Sequence, residues 1–162
     1  MIKFSILLPS FRYKCLGVVL DSIENNTKNK DEIEILLAVD ENNINVQKVV
    51  DEYIKKYDNI KLHISKALRL IPENSSSLLS NVVAYYNWLV LNFAKGLYIM
   101  PMNDDAIFLF ENWDILVYER LEEYKKTIND GIVYGLTEDF INGQSIGDKN
   151  LPSALFPIVS IE

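Results

Sequence analysis

Residues 97–108 read LYIMPMNDDAIF. Six largely apolar residues run into Asn103-Asp104-Asp105, and the chain then turns apolar again. Adjacent ionised carboxylates repel each other, and burying either without a partner is costly. A buried strand that delivers a polar loop to the edge of a sheet resolves the conflict. The same pattern recurs in residues 3–9 (KFSILLP), 33–39 (IEILLAV), 60–64 (IKLHI) and 131–135 (GIVYG), all rich in β-branched or aromatic residues and bounded by turn formers. The first, second and fourth runs are nearly continuously apolar, as expected for central strands covered on both faces of a mostly parallel sheet.

Helical periods lie between the strands. Leu16, Val19, Leu20 and Ile23 form one apolar face, and Val46, Val49, Val50, Tyr53, Ile54 and Tyr57 a second. A third comprises Leu79, Val82, Val83, Tyr86, Val90 and Phe93, with Ser75-Ser76-Ser77 as caps and Gly96 as the stop. After the double aspartate, Trp113, Leu116, Val117, Leu121 and Tyr124 share a face. Strand and helix alternate, which predicts an α/β, Rossmann-like fold with helices on both faces and right-handed crossovers. Residues 1–135 are expected to form the principal unit and 136–162 to continue the same domain.

The chain has 162 residues, 49% hydrophobic and 24% charged, enough for one domain with a proper core. A net charge of −7 disfavours nucleic acid and anionic lipid as nonspecific partners. Cys15 is the only cysteine, which points to a reducing, cytoplasmic setting. Residues 82–102 are interrupted by Asn87, Asn92, Lys95 and Gly96, against a membrane span, so any membrane contact is peripheral.

In open α/β sheets, ligands gather beyond the carboxyl ends of the strands. Pro9-Ser10-Phe11-Arg12, Asp40-Glu41-Asn42-Asn43, Ser65-Lys66 and Asn103-Asp104-Asp105 all fall there. Oxygen-rich clusters suit Mg²⁺ or Mn²⁺, held by one or two carboxylates and shared with substrate phosphates.

The ordered series FSILLPSFR, DSIENNTKNKDEIEILLAVDENN, KGLYIMPMNDDAIF and ENWD resembles the nucleotide-binding half of a family 2-like glycosyltransferase with the glycosyltransferase A fold. The resemblance covers roughly residues 3–126 and rests on the set, since each motif alone is weak. It implies transfer of a sugar from a nucleoside diphosphate donor, UDP favoured, to a saccharide or other hydroxyl acceptor, with inversion and with Mn²⁺ or Mg²⁺. It implies nucleobase contact at Pro9-Ser10 and at Asp40, with Asn42 beside it. Asp105 is implied as metal ligand, Asp104 as ligand of ribose or metal, and Asn103 as sugar contact. Asn-Asp-Asp replaces the family's Asp-x-Asp, with Asp105 matching its last carboxylate. Arg12 and Lys66, with Arg69 as substitute, are candidates for phosphate or base, because Arg gives forked and Lys point-charge contacts.

Family members continue into an acceptor-binding region that supplies the general base, whereas this sequence ends at Glu162, read as a truncation. Glu138 and Asp139 are the candidate bases, with Asp148 an outsider. Two other readings compete: a nucleotide-sugar-binding module lacking its own turnover, and a phosphoacceptor receiver domain, which fits less well because Pro9-Ser10 stands where receivers carry acids. A homo-oligomer is compatible with all three. Plain structural roles are the alternative throughout: a turn and helix cap for Asp104-Asp105, a turn for Asp40, surface charge for Arg12, Lys66 and Arg69. His63, Cys15 and Trp88 are read as structural, and Trp113 as core or, through the resemblance, as part of an acceptor wall with Asp114.

Overall fold

A computed structural model describes residues 1–65 and 78–127 and the strand segments Tyr134–Gly135, Phe140–Ile141, Gln144–Ser145 and Ile158–Ser160. The elements are β1 (Phe4–Pro9), α1 (Tyr13–Asn26), β2 (Ile33–Asp40), α2 (Ile44–Ile54), β3 (Ile60–Ser65), α3 (Leu78–Phe93), β4 (Tyr98–Pro101), α4 (Trp113–Lys125), and the short β5 (Tyr134–Gly135), β6 (Phe140–Ile141), β7 (Gln144–Ser145) and β8 (Ile158–Ser160). One sheet has the order β3-β2-β1-β4-β8-β5; β6 and β7 pair separately. The four strands β3, β2, β1 and β4 run parallel, while β8 is antiparallel to both β4 and β5. The alternation of strands and helices foretold the parallel part. It did not foretell β8, whose three residues carry no period of their own and take their place by pairing with β4.

The chain moves outward from β1 to β2 to β3 and then returns across β1 to β4. Right-handed crossovers require the helix of that return to lie on the opposite face. Accordingly Phe4, Ile6, Leu8, Ile33, Ile35, Leu37 and Val39 pack with α1, α2 and α4, whereas Leu7, Leu36, Ala38 and Ile99 pack under α3 through Tyr85 and Leu89. The strand order also separates this fold from receiver domains, whose order 2-1-3-4-5 sets β1 between β2 and β3.

The expected faces of α1 and α2 are those observed. In α3 the buried stripe is centred on Tyr85 and Leu89, and Val83 is exposed. In α4 it runs Trp113, Val117, Tyr118 and Leu121, leaving Leu116 and Tyr124 outside. Periodicity finds a helix's apolar arc, but with apolar residues all round, the neighbouring sheet chooses which arc is covered. The expected serine cap of α3 lies outside the described residues.

The strand IEILLAV contains Glu34, whose side chain is only 1% exposed. It accepts hydrogen bonds from Ser5 Oγ (2.7 Å), Lys61 Nζ (2.7 Å) and the Lys95 amide (2.7 Å). Burial by itself pushes its pKa up, but hydrogen bonds from Lys61, Ser5 and the Lys95 amide, with the charge of Lys61, outweigh that and hold it below the ordinary 4.5. A carboxyl with a depressed native pKa contributes stability above its unfolded pKa that is lost as pH falls through the native one. Chemical denaturation from pH 7 to pH 3 is therefore expected to show a loss of stability below about pH 4.5 that is smaller in Glu34→Gln, the variant being the less stable protein at pH 7. Identical acid slopes would remove Glu34 as the source.

Candidate functional site at the carboxyl edge of the sheet

The reversal of strand order between β1 and β4 opens a crevice at their carboxyl ends, the place where α/β sheets bind ligands. Helix α1 begins there without a cap from its own side chains. Its acceptor comes from β4's loop instead. Asp104 Oδ2 accepts from the amides of Phe11 (2.7 Å) and Arg12 (2.8 Å) and from Ser10 Oγ (3.3 Å). Asp104 and Ser10 are buried. Arg12 then spans the two aspartates, with Nε 3.3 Å from Asp104 Oδ1 and Nη1 2.7 Å from Asp105 Oδ2. The opposite charge of Arg12 lets the adjacent carboxylates coexist. Asp105 stays 42% exposed, whereas Asp104 is buried.

At the end of β2, the Tyr85 hydroxyl donates to Asp40 Oδ1. The Tyr85 ring is buried in the α3 face and meets the Phe11 ring edge-on at 5.6 Å. Asn43 caps α2 by accepting from the Val46 amide and donates through Nδ2 to the Phe11 carbonyl (3.3 Å). The adjacent Tyr86 donates to the Met102 carbonyl (3.1 Å) and Asn103 Oδ1 (3.3 Å). Its pKa is pushed up to about 12 by burial, then by the charge of Asp104, so it stays a donor. Asn42, Asn103 and Asp40 are exposed at this edge. Pro9 ends β1 and is buried.

Asp40, Asn103, Asp104, Asp105, Ser10 and Arg12 are thus brought to one edge. Lys66, Arg69, Glu138, Asp139 and Asp148 lie outside the described residues. Sequence reasoning placed Tyr86 on the apolar face of this helix and did not single out Tyr85; the signal was the adjacent pair, since both rings cannot sit centrally in one stripe.

The ENWD stretch lies elsewhere. From Asn103 the chain descends beside α1, where the Phe108 amide donates to Ser22 Oγ (3.2 Å) and Asn26 donates to the Phe108 carbonyl (2.9 Å). Trp113 stacks on Phe108 at 4.1 Å and donates to Thr27, while Asp114 accepts from the amides of Lys28 and Asn29 (2.9 Å each). These contacts clamp the turn between α1 and β2, at the amino end of the sheet. Trp113-Asp114 therefore does not wall an acceptor site; it is core and clamp.

Among the described residues no three His, Cys, Asp or Glu side chains form a ready cation cage. Asp104 Oδ2 already has three donors, so Asp105 is the carboxylate left for a cation. One carboxylate with substrate phosphates is a donor set that Mg²⁺ and Mn²⁺ accept, provided Arg12 yields Asp105 Oδ2. No helix among the described residues is long and apolar enough to cross a membrane.

Neither a protein-family model nor a curated protein sequence matches this chain. Its structure is similar to solved structures of TarS from S. aureus. Against TarS 1–349 in complex with UDP-GlcNAc, the TM-score is 0.62 at 15% identity over 91% of this chain and 37% of that one. With TarS 1–349 in complex with UDP the values are 0.62 and 15%, over 91% and 38%. With a longer TarS structure they are 0.62 and 16%, over 90% and 23%. The chain thus spans well under half of each TarS chain it matches, and at this identity the likeness is one of fold. TarS is a glycosyltransferase of the glycosyltransferase A fold, and that is the fold of this chain.

Proposed function

We propose that this chain is the nucleotide-sugar-binding half of an inverting, metal-dependent glycosyltransferase. The observation that carries the reading is the division of labour in Asn103-Asp104-Asp105: Asp104 is spent on tying β4's loop to the β1 loop, which leaves Asp105 and Asp40 as exposed carboxylates on either side of β1's end. The presence of UDP-GlcNAc in a TarS complex of the same fold supports a nucleoside diphosphate sugar as donor, with UDP favoured.

Asp40, with Asn42 beside it, takes the base at the end of β2, on a floor set by Pro9 and Ser10. Arg12 turns from the aspartates to the diphosphate oxygens, where its fork matches phosphate geometry. Asp105 would be the residue to hold Mg²⁺ or Mn²⁺ together with substrate phosphate oxygens, and Asn103 would meet the sugar. A cation held there would supply positive charge for the departing nucleoside diphosphate. A carboxylate, Glu138 or Asp139, accepts the proton of the acceptor hydroxyl. The hydroxyl oxygen bonds to the anomeric carbon as the bond to the diphosphate oxygen breaks on the opposite face, which inverts the centre. Lys66 and Arg69 remain the further cations proposed for phosphate or base.

Asp105→Ala is expected to weaken UDP binding in Mn²⁺ by about tenfold or more, since a charge-assisted contact to metal and phosphate is lost. Its thermal midpoint should stay near that of wild type, because an exposed ion pair contributes at most about 1 kcal/mol. Isothermal titration with Mn²⁺ and with EDTA checks this, and unchanged metal-dependent binding would remove Asp105 as the ligand. A second reading is a nucleotide-sugar-binding module without its own turnover. Sugar transfer or UDP-sugar hydrolysis by the 162-residue chain alone would exclude it.

A further inference from the structure

We infer that Tyr85 is a specificity-determining residue: by occupying one oxygen of Asp40, it makes the base site select uracil over guanine. The inference rests on the nucleotide-binding reading above and assigns its base.

Asp40 is held from several sides. Gln47 Nε2 donates to the Asp40 carbonyl (3.0 Å) and the Glu41 carbonyl (2.8 Å), fixing the backbone at the end of β2. The Tyr85 hydroxyl, carried on a ring buried against Leu7, Leu36 and Ala38, donates to Oδ1. Burial, the bond to Asp40 and the charge of Asp40 all raise the Tyr85 pKa, so the hydroxyl remains a donor. Oδ2 has no donor among the described residues, and Asp40 is exposed. Among the described residues the site therefore presents one acceptor oxygen, Oδ2, without a donor.

The two bases ask for different things. Uracil offers one edge N–H flanked by two carbonyl oxygens. It needs one acceptor, and a second free carboxylate oxygen would face a carbonyl and repel it. Guanine offers an N–H and an amino group side by side, matching a carboxylate with both oxygens available. With Oδ1 already accepting from Tyr85, guanine must share that oxygen with the phenol, which weakens one of its two charge-assisted bonds, whereas uracil's single bond to Oδ2 is untouched. Such a bond corresponds to about a tenfold or larger change in affinity.

The experiment is titration of UDP and GDP, each with Mn²⁺, into wild type and Tyr85→Phe. The phenylalanine ring fills the same buried site, and circular dichroism verifies the fold. Wild type is expected to bind UDP more tightly than GDP by about tenfold or more, and Tyr85→Phe to narrow that ratio by a similar factor, mainly through tighter GDP binding. An unchanged ratio in Tyr85→Phe, or a parallel weakening of both nucleotides, would overturn the role of Tyr85 while leaving the nucleotide site standing. Absence of binding of either nucleotide to folded wild type would overturn the nucleotide site itself, and the role of Tyr85 with it.

Discussion

Asp104→Ala is expected to destabilise the protein by about 2–5 kcal/mol, because it removes the shared acceptor of two backbone N–H groups at the start of α1. The carboxylate is buried and receives the amides of Phe11 and Arg12, the hydroxyl of Ser10 and the Nε of Arg12. Without it, two backbone N–H groups leading into α1 lose their acceptor, each at about 1–3 kcal/mol where water cannot replace it. For a chain of this size the thermal midpoint should fall by roughly 10 °C. Asp104→Asn keeps an acceptor oxygen without the charge, so it should fall between alanine and wild type. Urea denaturation of the three proteins beside Asp105→Ala tests the division between the two aspartates. If Asp104→Ala were as stable as Asp105→Ala, Asp104 would be the ligand-facing carboxylate, and the partition proposed for the site would be wrong.

The second large effect lies at the other end of the sheet. A Cβ on Gly96 would stand 2.5 Å from the Ser5 amide nitrogen and 2.7 Å from the Phe4 carbonyl carbon, both backbone atoms of the central strand. Neither can rotate away. The Gly96 amide also donates to Ser5 Oγ (2.8 Å), within the network that satisfies Glu34. Gly96→Ala must push the turn before β4 off β1 and open that network, so a loss of about 3 kcal/mol or more is expected. Gly17→Ala is the control. Its Cβ would meet only the far end of the Tyr53 side chain, at 3.2 Å, and alanine is favoured over glycine within a helix by about 0.5–1 kcal/mol. Its stability should stay within about 1 kcal/mol of wild type. Equal losses in the two variants, read by denaturant midpoint, would mean that the approach of the turn to β1 is not tight.

The sequence by itself determined the alternation of strands and helices, the buried faces of α1 and α2, and the polar groups at the strand ends. Those follow from local rules, since the period of apolar residues and the turn formers act within a few residues of each other. It did not determine what each polar residue does once it arrives. Asp104 and Asp105 are neighbours of one type in one loop, and only the approach of the β1 loop, some ninety residues earlier, buries one and exposes the other. Glu34 sits in an apolar run because Ser5, Lys61 and the Lys95 amide converge on it from three other segments. Tyr85 falls outside the apolar face expected for α3, and only the crossing of α3 to the far face buries its ring and brings its hydroxyl to Asp40. Trp113 and Asp114 carry a family-like signature but are used as a clamp on the turn after α1. In each case the deciding contact joins residues distant in sequence. A buried charge requires a partner, and which partner is available is a property of the tertiary fold.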